Sequence, residues 1–128
     1  MTKRILVVED NDLNRKLFCD VLQASGFAVE PVADGNQAIE RARAFIPNLV
    51  VMDIQLQDVS GLDLIATLKH DRDLAAVPVL AVTAYAGKGD EERIRESGAE
   101  GYLAKPVSIG PFMAAVKGLM EPAPETVS

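Results

Sequence analysis

Short apolar runs rich in β-branched residues occur at Ile5 to Val8, Leu49 to Met52, Val79 to Val82 and, more weakly, Tyr102 to Ala104. Runs of this length with no polar alternation predict strands buried on both faces. A less regular run, Phe27 to Val32, contains Pro31, which offers no amide donor, and predicts an edge strand. Between these runs the apolar spacing becomes helical. Leu13, Leu17 and Val21 are spaced as one stripe, Phe18 and Leu22 widen it, and Gly26 is placed to close the helix. A second helix is predicted from Asp34 as N-cap through Ile39 and Ala42 to Phe45, stopped by Pro47. The third opens with the capping-box spacing Ser60-Gly61-Leu62-Asp63 and turns Ile65 and Leu68 inward. The fifth begins at Ser108, tolerates Pro111 in its first turn, buries Phe112, Val116 and Leu119, and ends before Pro122. The fourth, Asp90 to Glu96, has one strong apolar residue and leans on local pairs such as Glu91 with Arg95. So weakly anchored a helix is either a solvated surface element or part of a movable signalling face.

Strands alternating with helices imply a parallel sheet with right-handed crossovers, a doubly wound α/β fold. A chain of 128 residues fits one such domain, placed at residues 1–121, with the tail Pro122 to Ser128 expected to be disordered. The lone Cys19 makes no internal disulfide and no Cys/His group has zinc spacing, so a reducing cytoplasm is the expected location. The opening residues are too short for a signal peptide, and no apolar run reaches bilayer-spanning length, which argues against membrane insertion. A net charge of −6 repels phosphate backbones and anionic lipids, so nucleic acid is not an expected partner.

In a doubly wound sheet the chemistry gathers at the carboxyl ends of the strands. Those positions hold Glu9 and Asp10 after the first strand, Asp53 closing the third, Thr83 closing the fourth and Lys105 after the fifth. A single Asp there is an ordinary helix cap, but three acids, a hydroxyl and an ammonium on one edge are a constellation. Carboxylates a few ångströms apart repel by several kcal/mol at an effective dielectric of about 20, so they require a cation or a proton. With oxygen ligands only, Mg²⁺ is the favoured ion. Such a set suits phosphoryl transfer to a carboxylate, with Lys105 as a second positive charge and Thr83 as a hydrogen-bond donor. Asp53, central between the acidic pair and the Thr/Lys side, is the candidate nucleophile.

The stretches Val8-Glu9-Asp10-Asn11, Val51 to Leu56, Ser60-Gly61, Ala81-Val82-Thr83-Ala84 and Ala104-Lys105-Pro106 make the whole chain resemble the response-regulator receiver family of two-component signalling. Asn11 to Asn14 and Lys88 to Glu96 look most like a single-domain member that regulates cell division. The resemblance implies a flavodoxin-like (βα)5 fold with strand order 2-1-3-4-5. It also implies that Glu9, Asp10, Asp53 and the backbone carbonyl of Gln55 hold Mg²⁺, that Asp53 accepts the phosphoryl group, and that Lys105 is its partner. Thr83 and Tyr102 would form the switch, and the Lys105–Pro106 peptide would be cis. The implied partners are a sensor histidine kinase or phosphotransfer domain, docking on the first helix near Leu13 and Leu17, and a downstream protein that reads the helix-four to strand-five face.

One departure is Gln57, where many members carry Pro four residues after the acceptor; no ligand is lost by it. Tyr85 would flank the path of the hydrolysing water, so the native phosphorylated form is expected to decay no faster than a Tyr85→Ala variant. Cys19 reads as a small buried hydrophobe, and His70, near a helix end, has no evident ligand partner. An Asp-nucleophile phosphatase of the haloacid-dehalogenase type would carry a second Asp two residues on, where this chain has Gln55. A nucleotide- or flavin-binding domain would need a glycine-rich cradle where Glu9-Asp10-Asn11-Asp12 stands. A docking domain that is never phosphorylated is disfavoured by the intact constellation.

Overall fold

Five segments pair as strands because each carries four or five residues able to fill a core on one or both sides of a sheet. A computed structural model describes residues 2–84 and 87–120. The elements run β1 (Arg4–Val8), α1 (Asp12–Ala24), β2 (Ala28–Val32), a 3-10 turn (Gly35–Gln37), α2 (Ala38–Phe45), β3 (Leu49–Asp53), α3 (Gly61–His70), β4 (Val79–Thr83), α4 (Lys88–Ser97), β5 (Gly101–Ala104) and α5 (Ile109–Met120). The sheet is parallel throughout, in the order β2-β1-β3-β4-β5.

Alternate residues of each strand enter different layers. Leu6, Val8, Val50, Met52 and Ala81 pack with Ala38, Ala42, Ile65, Leu68 and Ile94 of α2, α3 and α4. Ile5, Val7, Leu49, Val51, Leu80 and Val82 pack with Phe18, Leu22, Phe112 and Val116 of α1 and α5, where the rings of Phe18 and Phe112 stack at 4.8 Å. At about 1.5–3 kcal/mol for each large side chain fully buried, the central strands anchor the fold. They also leave their carboxyl ends no freedom to wander. Pro31 lies exposed in β2 at the sheet edge.

Two helices differ from the expectation. The buried residues of α1 are Phe18, Cys19 and Leu22, while Leu13 is 80% and Leu17 40% exposed. The core stripe is therefore rotated from the one that Leu13, Leu17 and Val21 suggest, because two stacked aromatic rings bury more surface than the leucines would. Ser60 precedes α3 but makes no side-chain cap, and its backbone bridges to Gln55. Asn11 does cap α1, accepting from the Asn14 amide at 2.9 Å, and α1 closes through Gly26 at φ 94°. In α4 only Ile94 is deeply buried among the described residues, and Glu91 pairs with Arg95 at 3.0 Å on its surface. The tail Pro122 to Ser128, expected to be disordered, lies outside the described residues.

Candidate functional site

Strand register alone assembles the site. Val8 pairs with Met52, so one step further Glu9 stands beside Asp53. Asp53 pairs with Val82, and Thr83 with Ala104, so Thr83 and Lys105 extend the same edge. Because adjacent strands lie about 4.8 Å apart, residues that end parallel strands in register are neighbours by construction.

Glu9, Asp10 and Asp53 each present a carboxylate oxygen within 4.8 Å of the others. Glu9 and Asp53 are 1% and 2% exposed, and Asp10 is half-buried. The Lys105 ammonium reaches Asp53 Oδ2 at 3.1 Å and Glu9 Oε1 at 3.2 Å. Asp53 Oδ1 accepts from the Gln55 amide at 3.0 Å, Glu9 Oε2 from the Asn11 amide at 3.1 Å, and Asp10 Oδ2 from the Gln57 amide at 2.8 Å. That last bond would be lost with Pro at this position, because Pro lacks the donor. Behind Asp53, a Cβ on Gly61 would collide with the Asp53 carbonyl and lie 2.6 Å from Ile54 Cα, so only glycine lets α3 start this close to the strand end.

Three carboxylates face one ammonium. Burial, then a hydrogen bond shared with Asp53, pushes the Glu9 carboxyl up to about 7. For Lys105, burial works against the charge, but the hydrogen bond and field of Asp53, followed by Glu9, outweigh it and hold the ammonium above its ordinary range. Glu9 Oε1 is buried without a directed hydrogen bond, although Lys105 stands at ion-pair distance. A buried carboxylate oxygen met only by an ammonium it shares with Asp53, within a cluster whose charge exceeds that one cation, fits a hard divalent ion with oxygen ligands.

The description "Response regulator receiver domain" matches residues 5–117. The chain belongs to that family. It is 48% identical over 120 residues to the polar-differentiation response regulator DivK of Brucella ovis, covering 94% of this chain and 98% of that one. The Brucella anthropi protein of the same name is also 48% identical over the same coverage. Among solved structures, the receiver domain of a sensor histidine kinase from Pseudomonas aeruginosa PAO1, with a magnesium ion in its active-site cleft, is 30% identical at a TM-score of 0.85, covering 94% of this chain and 98% of that one. The chemotaxis protein CheY4 of Vibrio cholerae, 21% identical at a TM-score of 0.88 and covering 93% and 99%, shares the fold. The chain is a receiver of the DivK kind rather than a classical enzyme, and neither the phosphatase nor the docking-only reading is favoured.

In this receiver Tyr102 lies half-buried on β5 against the α2–α4 layer, and burial followed by a hydrogen bond to Glu91 raises its phenol pKa. The Lys105–Pro106 peptide is cis. Tyr85 falls outside the described residues. Cys19 is buried, and burial raises its thiol pKa. His70 ends α3 with Nδ1 2.7 Å from the Ala66 carbonyl. No described helix is long and apolar enough to cross a membrane.

Sequence reasoning missed two parts of the receiver's edge. The Gln55 side chain donates from Nε2 to Thr83 Oγ1 at 2.9 Å and accepts at Oε1 from the Ala84 amide at 2.8 Å. Arg15 donates from Nη1 to the Glu9 carbonyl at 3.0 Å, tying α1 to the acidic loop. The only sequence signal for Arg15 is that the first turn of a helix following an acidic strand end carries a cation able to reach back.

Proposed function

We propose that the chain is a single-domain response regulator that takes a phosphoryl group onto Asp53 from a phosphohistidine on a sensor kinase or phosphotransfer protein. The observation carrying this reading is the placement of Asp53: buried at a strand end, 3.1 Å from the Lys105 ammonium and grouped with two further carboxylates. An Asp53 carboxylate oxygen forms the new bond to phosphorus as the bond from phosphorus to the imidazole nitrogen breaks, and the freed imidazole leaves with its partner protein. Lys105 holds Asp53 Oδ2 and balances charge on the phosphoryl oxygens. Glu9, Asp10, Asp53 and the Gln55 carbonyl are the residues that would hold Mg²⁺, as the close acidic group and its single shared ammonium support. When bound, the ion neutralises the repulsion between these carboxylates and an incoming phosphate.

The Thr83 hydroxyl then turns to the phosphoryl group, Tyr102 rearranges, and the α4–β5 face changes its affinity for a downstream protein. The weak anchoring of α4, with Ile94 as its deeply buried described residue, supports this face as the movable one. Leu13 and Leu17 exposed on α1, with Leu17 lining a cleft beside Lys105 and Pro106, support docking of the phosphoryl donor there. By kinship with DivK the process is polar differentiation or cell-cycle control in the cytoplasm.

Intact mass after incubation with Mg²⁺ and a small acyl phosphate tests the central step. The native protein is expected to gain one phosphoryl group and the Asp53→Asn variant none. A folded native protein that binds Mg²⁺ yet gains nothing, or equal gain by the variant, would overturn the assignment.

A further inference from the structure

The Gln55 side chain lies between the acceptor and the switch. Its main-chain amide donates to Asp53 Oδ1 at 3.0 Å. Its carboxamide spans to β4, donating to Thr83 Oγ1 at 2.9 Å and accepting from the Ala84 amide at 2.8 Å. A backbone amide can only donate, so the oxygen of the carboxamide must face Ala84 and the nitrogen must face Thr83. Both ends are thereby fixed.

We propose that the Gln55 carboxamide is a latch, holding in the unphosphorylated protein the Ala84 amide that a phosphoryl group on Asp53 would later take, and tethering the Thr83 side chain through Oγ1 in its resting place. The proposal rests on Asp53 being the acceptor. A phosphoryl group brings three strongly accepting oxygens, and its charge-assisted bonds are roughly twice as strong as those of a neutral amide, so it wins the contest for the Ala84 amide, and the displaced carboxamide lets go of Thr83 Oγ1. The displaced side chain has somewhere to go, because Gln55 and Thr83 line one cleft with Ser60, Leu62, Asp90 and Arg93. Gln55 is thus a positioning residue: it holds the switch in its resting place and subtracts from the free energy with which phosphorylation drives it.

Removing the latch removes the competitor. Two neutral hydrogen bonds, partly replaced by water, correspond to about a five- to tenfold gain in affinity for a phosphoryl group or its mimic. The test uses the full chain with Mg²⁺ and beryllofluoride as the mimic, comparing native protein with Gln55→Met, which keeps length and bulk but neither donor nor acceptor, and with Gln55→Ala. The expected result is a shifted Ala84 amide resonance in both variants before the mimic is added, and mimic binding about five- to tenfold tighter than native in both. Equal or weaker binding by Gln55→Met, with native protein still binding, overturns the latch and leaves the acceptor assignment standing. If folded native protein takes up neither beryllofluoride nor a phosphoryl group at Asp53, the acceptor assignment fails and the latch falls with it.

Discussion

Gly61→Ala probes how tightly Asp53, the proposed acceptor, is held by its own backbone. An added Cβ would collide with the Asp53 carbonyl and stand 2.6 Å from Ile54 Cα and 3.0 Å from the Asp53 carbonyl carbon. All three atoms are main chain, so no side chain can rotate aside, and the β3–α3 connection itself must move. That connection is fixed by the Gly61 amide donating to the Ile54 carbonyl at 3.1 Å and by the bridge between Gln55 and Ser60. Overpacking of this kind costs about 1–3 kcal/mol, and the rigid neighbours put Gly61 at the upper end. With a urea m-value of roughly 1–3 kcal/mol/M, the unfolding midpoint should fall by about 1–3 M. The displaced backbone also carries Asp53, and a misplacement of about 1 Å can cost on the order of 100-fold in rate, so phosphoryl uptake should slow well beyond the stability loss. Gly110→Ala is the matched control: nothing lies within 4 Å of its added Cβ, and in a helix Ala is favoured over Gly by about 1 kcal/mol. Urea titration followed by far-ultraviolet circular dichroism, with uptake from an acyl phosphate read by mass, checks both halves. A Gly61→Ala protein with a native midpoint and a native uptake rate would refute the close-approach reasoning.

Mg²⁺ affinity should weaken as pH falls through about 7, because Glu9, its carboxyl pushed up to about 7 by burial and then by the bond to Asp53, holds a proton that the ion must displace. The folded value is raised, so the metal-free protein is favoured at low pH and loses that stability as pH rises through about 7, where added Mg²⁺ restores it; calorimetric affinities that stay flat from about pH 5.5 to 8 would contradict this. Lys105→Met leaves the Asp53 and Glu9 oxygens without their ammonium, and phosphoryl uptake should fall on the order of 100-fold, whereas a native rate would remove Lys105 from the chemistry. Lys69→Met removes an ammonium that donates to the Ala75 and Val77 carbonyls and to Glu100, a loss of about 2 kcal/mol readable by thermal or urea unfolding; an unchanged midpoint would show these contacts to be superficial.

What could be read from the residues alone follows from which neighbours each one needs. The central strands were legible because both faces are covered, and that demand shows as unbroken runs such as Leu49 to Met52. The acidic edge was legible for a related reason: in a parallel sheet the residues at the strand ends share one layer, so Glu9, Asp53, Thr83 and Lys105 meet without any long-range fitting. Features settled by loops were not. Whether Ser60 caps α3 and whether the Gln55 carboxamide reaches β4 depend on a connection whose course no periodicity encodes. The same holds for Lys69, whose partners Ala75, Val77 and Glu100 come from two different connections.

The misread face of α1 is informative in itself. The helix carries two overlapping apolar stripes, and the sheet has room for one. Phe18 and Leu22 take the core because α5 offers Phe112 for stacking at 4.8 Å, which leaves Leu13 80% exposed and Leu17 40% exposed, the latter lining a cleft with Lys105 and Pro106. Exposed single leucines are common and cost little, but two on one helical face, one of them beside the Lys105 that pairs with buried Asp53, form an apolar patch near a charged centre. The proposed phosphoryl donor would be served by that arrangement, with apolar contact excluding water from the approach and charge where the transferred group arrives. The surplus hydrophobicity that blurs the helical pattern is thus the feature that a docking partner would use.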